Sequence, residues 1–540
     1  MIYEQFCTIT EDGGRPVSVD YHYPQCFNFA YDVVDQVAVK TPEKTALVWC
    51  SDRGEERTFT FRDIKEMSIR YAKVLISSGI SKGDKVIVSL RRHYEYWITA
   101  VALERIGAVM IPVTSMLTAE DFAYRISASD AKAVIVTPFD NVPENIRKAK
   151  AITDRELSLW TIADGVEGFD NLPAEAEMQT PIMERIDTSA EDAMLMYFTS
   201  GTTGRPKGVI HDHTYALSHI ITAKYWQGAF DGGLHFTLAE TGWAKASWGK
   251  LYGQWLVGSA VMVYDFTSFD PGQLATIINR YGVTSFCAPP TVYRYLVRKG
   301  FTEMPTLRSA TTAGEYLSTD IFRAFREKTG ITLREGYGQT ETALIAANFT
   351  YDKAVDGSMG KPSPLYTVRI LRPDGSEASP GEKGEIAIEA ENGKKPIGVF
   401  SSYLDDGELY EKAWRDGLYH TGDEASMDEN GSIWFFGRID DVIKSSGFRI
   451  GPGEIEYIVS KYPAVEECSV VGIPDALRGQ KIKAFIKLHQ GVRPSRELEK
   501  TIRDFCNSQL AEYKWIRSIG FVDNFQKTIS GKIIKHLLIT

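Results

Sequence analysis

A hydroxyl-rich segment between Tyr197 and Gly208 has the residue types needed to hold a polyphosphate. Four of its side chains carry hydroxyls, and its two inner glycines let the backbone turn so that peptide N–H groups approach an anion. A lysine adds a cation. The candidate phosphate contacts are Thr199, Ser200, Gly201, Thr202, Thr203, Gly204 and Lys207.

This segment differs from the Walker phosphate loop, which ends in Gly-Lys-Ser/Thr. Here Pro206 precedes the lysine and Gly208 follows it. The alternative interpretation is a polar surface turn, because clusters of Ser, Thr, Gly and Pro commonly form turns. An apolar run at 193–198 leads straight into the segment, so a strand is expected to position it.

Short apolar runs alternate with helical patterns along the first part of the chain. Continuous apolar strands that alternate with helices are typical of a mostly parallel, doubly wound sheet. The sequence therefore predicts an α/β fold whose large N-terminal domain contains doubly wound, mostly parallel sheets. The expected strands lie at 45–50, 85–90, 132–137, 260–264 and 283–287, and two of the helices between them at 61–78 and 94–106.

The pattern changes after Gly357, where turn signals become dense and the runs between them are short and β-rich. This predicts a compact β subdomain at about 357–437. A smaller α+β segment follows, with helical patterns at 453–461 and 495–509. We expect an N-terminal domain over 1–439 and a small, mobile C-terminal domain over 440–540.

Composition excludes several classes of protein. The net charge is −10 and no basic block occurs, which argues against a nucleic-acid partner. The six cysteines form no C-x-x-C pair, so they indicate reduced thiols rather than a zinc or redox motif. No run approaches the ~20 apolar residues that span a bilayer. The first residues lack the basic and apolar regions of a secretion signal, so we expect a cytoplasmic protein.

The hydroxyl-rich segment is followed, in order, by further motifs at 336–342, 419–423, 437–444, 446–451 and 527–532. Together they resemble the adenylate-forming superfamily of acyl-CoA synthetases, luciferases and peptide-synthetase adenylation domains. The segment 27–32 resembles the medium-chain acyl-CoA synthetase branch. The resemblance implies that ATP activates a carboxylic acid as an acyl-adenylate and that CoA then accepts the acyl group. It also implies Mg²⁺ as cofactor, and an oligomer is compatible with it.

The resemblance assigns roles to the ATP-binding residues. Thr340 would contact the α-phosphate and Glu341 would hold magnesium, for which a carboxylate oxygen is a suitable ligand. Asp423 would accept both ribose hydroxyls, with Arg438 as a second ribose contact. Without the matched motifs, Glu315 and Glu335 would be interpreted as solvated surface acids. The two segments that match the adenine site contain Gly314, Glu315 and Tyr316, and Glu335, Gly336, Tyr337, Gly338 and Gln339.

The C-terminal motifs supply the remaining implied roles. Lys532 would bridge the carboxylate and the phosphate during adenylation, whereas without its motif it would be a surface lysine. Asp440 matches the hinge about which the C-terminal domain rotates between the two half-reactions. Gly447 would line the CoA channel, where a side chain would obstruct a narrow tunnel, or it is a simple turn glycine. Arg449 is a weaker candidate for contact with the CoA phosphates.

Acetate-specific relatives carry a tryptophan at the position of Gly338, so glycine here predicts a larger acyl pocket. Lys245 and Trp248 are three residues apart and would share one face of a helix, where they could limit the pocket to short, branched or aromatic acids. The alternatives are a solvent-facing lysine and core tryptophans. The other candidate lining residues are Trp226, Trp243, Ala244, Cys287 and Ala313.

Two other functions remain open. One is a stand-alone adenylation enzyme that passes its acyl group to a carrier protein or another acceptor. The other is a non-catalytic nucleotide-binding scaffold, which predicts decay at Lys532, Glu341 or Asp423, and all three are intact. The histidines at 211, 213 and 235 are interpreted as structural, and His420 has no assigned role in its motif.

Overall fold

The computed structural model describes residues 1–199, 206–300, 303–314, 317, 319–441, 443–445, 448–475, 478–510, 512–528 and 531–539. By their internal contacts the residues form two compact units. Unit 1 contains Met1–Thr199, Pro206–Thr367 and Ala390–Gly417, and unit 2 contains Val368–Glu389 and Leu418–Thr540. The expected boundary between an N-terminal domain over 1–439 and a mobile C-terminal domain over 440–540 stays a prediction.

The strands are β1 Cys7–Asp12, β2 Arg15–Tyr21, β3 Thr45–Ser51, β4 Glu56–Thr60, β5 Lys85–Ser89, β6 Val109–Pro112, β7 Ala133–Val136, β8 Ser158–Thr161, β9 Asp170–Asn171, β10 Ala193–Thr199, β11 Lys207–Asp212, β12 Leu234–Thr237, β13 Ala260–Asp265, β14 Ser285–Cys287, β15 Ser309–Ala313, β16 Leu333–Tyr337, β17 Ala346–Ala347, β18 Lys361–Pro362, β19 Val368–Leu371, β20 Lys383–Glu389, β21 Ser402–Tyr403, β22 Trp414–Arg415, β23 Leu418–Met427, β24 Ile433–Arg438, β25 Ile443–Ser445, β26 Phe448–Ile450, β27 Val465–Asp475, β28 Gly479–Leu488 and β29 Ser518–Phe521.

The α-helices are α1 Asp35–Lys40, α2 Phe61–Ser77, α3 Glu95–Ile106, α4 Ala119–Ser129, α5 Val142–Thr153, α6 Leu172–Glu177, α7 Tyr215–Ile221, α8 Lys245–Gly249, α9 Tyr252–Leu256, α10 Pro271–Tyr281, α11 Pro290–Lys299, α12 Thr319–Thr329, α13 Gly407–Ala413, α14 Pro452–Ser460 and α15 Arg496–Asn507. Short π-helical segments, Ala30–Val34 and Thr222–Trp226, precede α1 and follow α7.

Unit 1 contains two large sheets. The first has the order β21-β11-β10-β6-β5-β7-β8-β9, and the second has the order β18-β17-β16-β15-β14-β12-β13-β3-β4. Pairs from β6 to β9 and from β16 to β3 are parallel, and antiparallel strands lie at the β21 edge of the first sheet and at both edges of the second. The crossover helices make this a doubly wound arrangement, so the predicted fold class is confirmed.

Helix α3 lies in the core of unit 1. All of its residues are buried, and Trp97 and Leu103 belong to the hydrophobic cluster that also contains strand residues Val86 and Val261 of the two sheets. The helix stops at Gly107, whose φ of 75° is the left-handed conformation that glycine adopts easily. Burial on all sides explains why most of its residues are apolar, without a polar face for solvent.

Unit 2 is built from antiparallel strands with helices on one sheet. Strands β19, β20, β23 and β24 pair in that order, and β26, β25, β28 and β27 form a further sheet to which β29 adds in parallel. A second hydrophobic cluster joins α14 and α15 to this latter sheet through Ile455, Ile502 and Ile486. The unit therefore has a core of its own.

Helix and strand types agree with the sequence expectations at the elements named above, and their ends differ by a few residues. The run at 132–137 contains a strand only over Ala133–Val136, and the run at 283–287 only over Ser285–Cys287. Such differences are usual where an apolar run extends past the last ladder hydrogen bond. Among the described residues, no helix has both the length and the apolar character needed to traverse a bilayer.

Candidate active site

The two ends of the predicted phosphate segment are paired across neighbouring strands of unit 1. Thr199 ends β10 and Lys207 begins β11, and the two residues face each other in the antiparallel ladder. The Tyr124 hydroxyl donates to the carbonyl of Pro206 at 2.8 Å. The predicted contacts at 200–204 lie outside the described residues. The described ends therefore form a closed hairpin base that would hold such a loop in place.

The motif at 336–342 begins in the last two residues of β16 and extends past its carboxyl end, the usual place for ligand-binding residues in a parallel sheet. Gln339 N–H donates to Thr342 Oγ1 at 3.1 Å, which closes the turn that carries Thr340 and Glu341. The Thr340 carbonyl accepts a 2.8 Å hydrogen bond from His211 Nε2. Both Thr340 and Glu341 are half-buried.

The Glu341 carboxylate is oriented by a tyrosine from the neighbouring sheet. Tyr403 donates its hydroxyl hydrogen to Glu341 Oε1 at 3.0 Å. Because a neutral hydroxyl makes this contact, it fixes the carboxylate without cancelling its charge. Sequence reasoning did not single out Tyr403 and interpreted His211 as structural, because neither falls in a matched motif and only their strand partners bring them to this turn.

The candidate adenine residues that are described lie at the ends of β15 and β16. Gly314 follows β15 with a φ of 96°, and a β-carbon there would meet no atom within 4 Å. Burial raises the pKa of Glu335 to about 8, although the Leu317 backbone N–H lowers it. Burial thus favours the protonated form of this carboxyl. Glu315 and Tyr316 lie outside the described residues.

The predicted ribose contacts face each other across β23 and β24 of unit 2. Arg438 Nη1 donates to the Thr421 carbonyl at 2.8 Å and lies 3.3 Å from Asp423 Oδ1. The Asp423 side chain is 5 % exposed, so the arginine neutralises a carboxylate that has lost most of its water. Two acceptor oxygens on a fixed strand suit recognition of a diol.

Glu385 on β20 holds the backbone next to Asp423. Its Oε1 accepts the Gly422 N–H at 2.9 Å, and its Oε2 lies 2.9 Å from His420 Nδ1. Sequence analysis gave His420 no role and did not single out Glu385. The structure assigns both to the support of the strand segment that carries Asp423.

Lys532 lies at the end of a tight turn in unit 2. Its backbone N–H donates to Thr528 Oγ1 at 3.2 Å, and its carbonyl accepts from Thr528 N–H at 2.7 Å. Gly531 precedes it with a φ of 85°, and Lys532 itself is exposed. The turn thus presents the lysine at the surface of its unit.

The predicted hinge and CoA residues are described only in part. Asp440 lies in a short 3₁₀ helix over Ile439–Asp441, directly after β24. Arg449 lies in β26, where it pairs with Lys444 of β25. Gly447 lies outside the described residues. The roles of these residues stay predictions.

The candidate acyl-pocket residues largely come together in unit 1. Trp226, Trp248, Cys287 and Ala313 are buried in one hydrophobic cluster, and the two indole rings meet edge to face at 6.3 Å. Trp243 and Ala244 are half-buried and directly precede α8. Both tryptophans are thus core residues, as the alternative interpretation held.

Gly338 leaves no open space beside it. A β-carbon on this residue would lie 2.5 Å from Trp248 Cη2 and 2.6 Å from the Ala343 carbonyl oxygen. The volume that the sequence analysis expected to be free is therefore filled by an indole. Lys245 begins α8 and donates to the Ala313 carbonyl at 2.7 Å, so its ammonium group faces the protein.

Two family matches cover most of the chain. Residues 34–404 match the AMP-binding enzyme family, and residues 454–532 match the AMP-binding enzyme C-terminal domain. Similar proteins include acyl-coenzyme A synthetase ACSM3, mitochondrial, of Homo sapiens, with 35% identity over 95% of this chain and 89% of the relative. The 4-hydroxybutyrate--CoA ligase 1 of Metallosphaera sedula has 38% identity over 94% of this chain and 89% of the relative.

Solved structures give the same result. A Brucella canis acyl-CoA synthetase is 31% identical, with a TM-score of 0.72 over 95% of this chain and 93% of that chain. The anthranilate CoA ligase AuaEII, solved with anthranoyl-AMP, is 26% identical, with a TM-score of 0.82 over 96% of this chain and 97% of that chain. The chain therefore belongs to the AMP-binding enzyme family and is an AMP-forming acyl-CoA synthetase of the adenylate-forming superfamily.

Proposed function

We propose that this synthetase activates a short-to-medium-chain carboxylic acid, including branched or aromatic acids, and transfers the acyl group to the CoA thiol. The observation behind this size limit is that the indole of Trp248 fills the space beside Gly338. The bulky indole would limit the pocket beside Gly338, whereas the small side chains of Ala244 and Ala313 would take up little of its volume. The related proteins named for 4-hydroxybutyrate and anthranilate support this range.

The first half-reaction joins two anions. A carboxylate oxygen of the acid attacks the α-phosphorus of ATP, the bond to the bridging oxygen breaks, and pyrophosphate leaves. We assign to Thr340 the α-phosphate contact, to Asp423 and Arg438 the ribose, and to Lys532 the cation that offsets the charge developing between carboxylate and phosphate. Lys207 and the hydroxyls near it would hold the outer phosphates.

The residues present fit magnesium held jointly with the nucleotide. No group of three or more His, Cys, Asp or Glu side chains is placed to hold a metal ion in the part of the chain that the structure describes. Mg²⁺ commonly takes one or two carboxylates and completes its shell with nucleotide phosphates and water. Glu341, oriented by Tyr403, would supply that carboxylate. When bound, the ion would neutralise phosphate charge.

The second half-reaction needs no metal-bound carboxylate. The CoA sulfur attacks the acyl carbon, the mixed anhydride breaks, and AMP leaves with the oxygen that came from the acid. We propose that Gly447 and Arg449 line the CoA path and that rotation at Asp440 separates the two half-reactions. A cytoplasmic location and the absence of a nucleic-acid partner also stay predictions, and the relatives named mitochondrial do not assign a compartment to this chain.

The test is an assay of AMP and thioester from ATP, CoA and a graded series of acids. The series runs from acetate to octanoate and includes 2-methylbutyrate and benzoate, with Lys532→Ala as the control. We expect thioester formation that peaks beyond acetate and is lost in the variant. Turnover of ATP to AMP and pyrophosphate without any CoA thioester would instead indicate a different acceptor, such as a carrier protein.

A further inference from the structure

Residues 395–404, here called the bracket segment, lie alongside the strand that leaves the predicted phosphate segment. The Ser401 N–H donates to the Ile210 carbonyl at 2.7 Å, and the Leu404 N–H donates to the Gly208 carbonyl at 2.8 Å. These contacts place β21 as the antiparallel neighbour of β11. One edge of the bracket segment is therefore fixed to β11.

Its other edge is bonded to the backbone around Glu341. The Phe400 N–H donates to the Glu341 carbonyl at 2.7 Å, and the Ala343 N–H donates to the Gly398 carbonyl at 2.8 Å. Thr342 and Val399 form an antiparallel bridge between these two bonds. The bracket segment thus joins β11 to the turn that carries Thr340 and Glu341.

An ion pair between Lys395 and the buried Asp212 anchors the start of the bracket segment. Asp212 Oδ2 accepts from Lys395 Nζ at 2.7 Å and from Ser401 Oγ at 2.9 Å. The Asp212 side chain is 5 % exposed, and although burial opposes it, Lys395 holds the pKa of Asp212 below its ordinary value. The same lysine donates to the Val399 carbonyl at 3.1 Å. The Lys395 ammonium group thereby holds the loop that precedes β21 both to Asp212 and to the Val399 carbonyl.

Two side chains from this framework reach the reacting turn itself. Tyr403 donates to Glu341 Oε1 at 3.0 Å. His211 lies against the Tyr215 ring with 3.9 Å between centroids, and its Nε2 lies 2.8 Å from the Thr340 carbonyl. Because a carbonyl only accepts, Nε2 carries the hydrogen and the imidazole has one defined tautomer.

We propose that the bracket segment sets the geometry of Thr340 and Glu341 for adenylation, with Tyr403 and His211 as positioning residues. The inference rests on the proposed function and deepens it, since it names residues outside the recognised motifs. Tyr403 aims the Glu341 carboxylate, and His211 fixes the peptide plane of Thr340. Their hydrogen bonds to Glu341 and to the Thr340 carbonyl would let both act through the residues they hold.

Tyr403→Phe tests the first contact, with Tyr410→Phe as a matched control. Tyr410 also packs on Phe400, with ring centroids 5.3 Å apart, so the control removes a hydroxyl from the same ring cluster. The readout is calorimetric affinity for ATP, measured once with Mg²⁺ and once with EDTA. We expect Tyr403→Phe to weaken the affinity for ATP in the presence of Mg²⁺ by roughly 10-fold, the smaller of the effects usual when a group that orients a metal ligand is lost. The affinity measured in EDTA should not change. Equal affinities for the Tyr403→Phe and Tyr410→Phe proteins under both conditions would overturn the proposal.

His211 is tested by two substitutions that differ in whether they can donate. Gln can place an N–H near the position of Nε2, whereas Leu cannot. We expect His211→Leu to slow acyl-adenylate formation by roughly 10-fold or more, since a 1 Å misplacement can cost 10²-fold. His211→Gln should recover most of that loss. Equal loss in both variants, with folding intact by circular dichroism, would show that only ring packing matters and would contradict the positioning role.

The two half-reactions separate this inference from the proposed function. With synthetic acyl-AMP and CoA as substrates, Tyr403→Phe should form thioester at the wild-type rate, because Glu341 is assigned to the ATP-dependent step alone. A loss of similar size in both half-reactions would indicate a general fold defect and overturn the inference. Failure of the unmodified protein to adenylate any acid would overturn the proposed function instead.

Discussion

The indole of Trp248 occupies the space in which residue 338 would place a side chain. A β-carbon on Gly338 would lie 2.5 Å from Trp248 Cη2, closer than carbon atoms approach in folded proteins. The two positions therefore share one volume, and a bulky group can occupy it from either side. Glycine at 338 and tryptophan at 248 are complementary, and the second residue supplies the wall that the first one lacks.

Trp248→Ala should shift the preferred acid toward longer chains. Removing the indole frees volume next to Gly338, and each additional methylene buried there contributes about 0.8 kcal/mol, or roughly 4-fold in kcat/KM. The measurement is kcat/KM across a series from acetate to octanoate for both proteins. A maximum at the same acid in both would show that this indole does not end the pocket.

Gly338→Ala should be harmful alone and less harmful beside Trp248→Ala. In the wild-type background the added methyl group overlaps the indole, and overpacking of this kind costs about 1–3 kcal/mol. The double variant removes the overlap with the indole and keeps the one with the Ala343 carbonyl oxygen, 2.6 Å from the added β-carbon, so the two effects should be less than additive. Thermal unfolding and kcat/KM of the four proteins give the coupling. Strict additivity would mean that the two side chains do not share a volume.

Asp423→Asn should raise the KM for ATP far more than it lowers kcat. The buried carboxylate would lose charge-assisted bonds worth about 1.5–3 kcal/mol, which corresponds to roughly 10–100-fold in affinity. Steady-state kinetics with ATP as the varied substrate checks this. Asp428→Asn is the control, because Asp428 lies in the same β23–β24 hairpin and holds the N–H groups of Asn430 and Ser432. An equal effect in both would point to the hairpin rather than to the ribose.

Acidification should destabilise the protein through its buried histidines. Burial lowers the pKa of His211 and His213 to about 4 and that of His219 and His235 to about 3. In the unfolded chain these imidazoles have the ordinary histidine pKa of about 6.5 and take up protons below it, whereas in the folded chain they stay neutral. The free energy of unfolding therefore decreases as the pH falls below about 6.5.

One substitution isolates this effect from the other titrating groups. Between about pH 7.5 and about pH 5.5, wild type should lose about 1 kcal/mol more free energy of unfolding than His213→Asn, because one fewer proton is taken up on unfolding. Urea unfolding at the two pH values measures the difference. Identical losses in the two proteins would mean that His213 titrates normally in the folded state.

The alternation of apolar strands and helices was sufficient to predict the α/β class, because burial on both faces leaves parallel strands uniformly apolar. Local signals that the sequence analysis did not use also mark the ends of individual elements. The Thr60 and Asp63 pair caps α2 reciprocally, and Gly107 ends α3. These features depend on residues a few positions apart, so the sequence contains them directly.

The contacts that orient the site could not be predicted in this way. Tyr403 is 62 residues from Glu341, and His211 is 129 residues from Thr340, and in each pair the register of β11 against its neighbours creates the contact. The Trp248–Gly338 overlap likewise requires the fold. Motifs identify residues that touch ligands, whereas residues that position them are visible only after the strands are paired.

The most direct test of the account follows the oxygen atoms of the acid. A substrate acid labelled with heavy oxygen in both carboxylate positions is incubated with the enzyme, ATP and CoA, and the nucleotide product is analysed by mass spectrometry. Acyl-adenylate formation predicts AMP that carries one labelled oxygen, since the attacking oxygen stays on phosphorus when the thiol displaces AMP. Unlabelled AMP, or ADP accompanied by labelled inorganic phosphate, would contradict an acyl-adenylate intermediate.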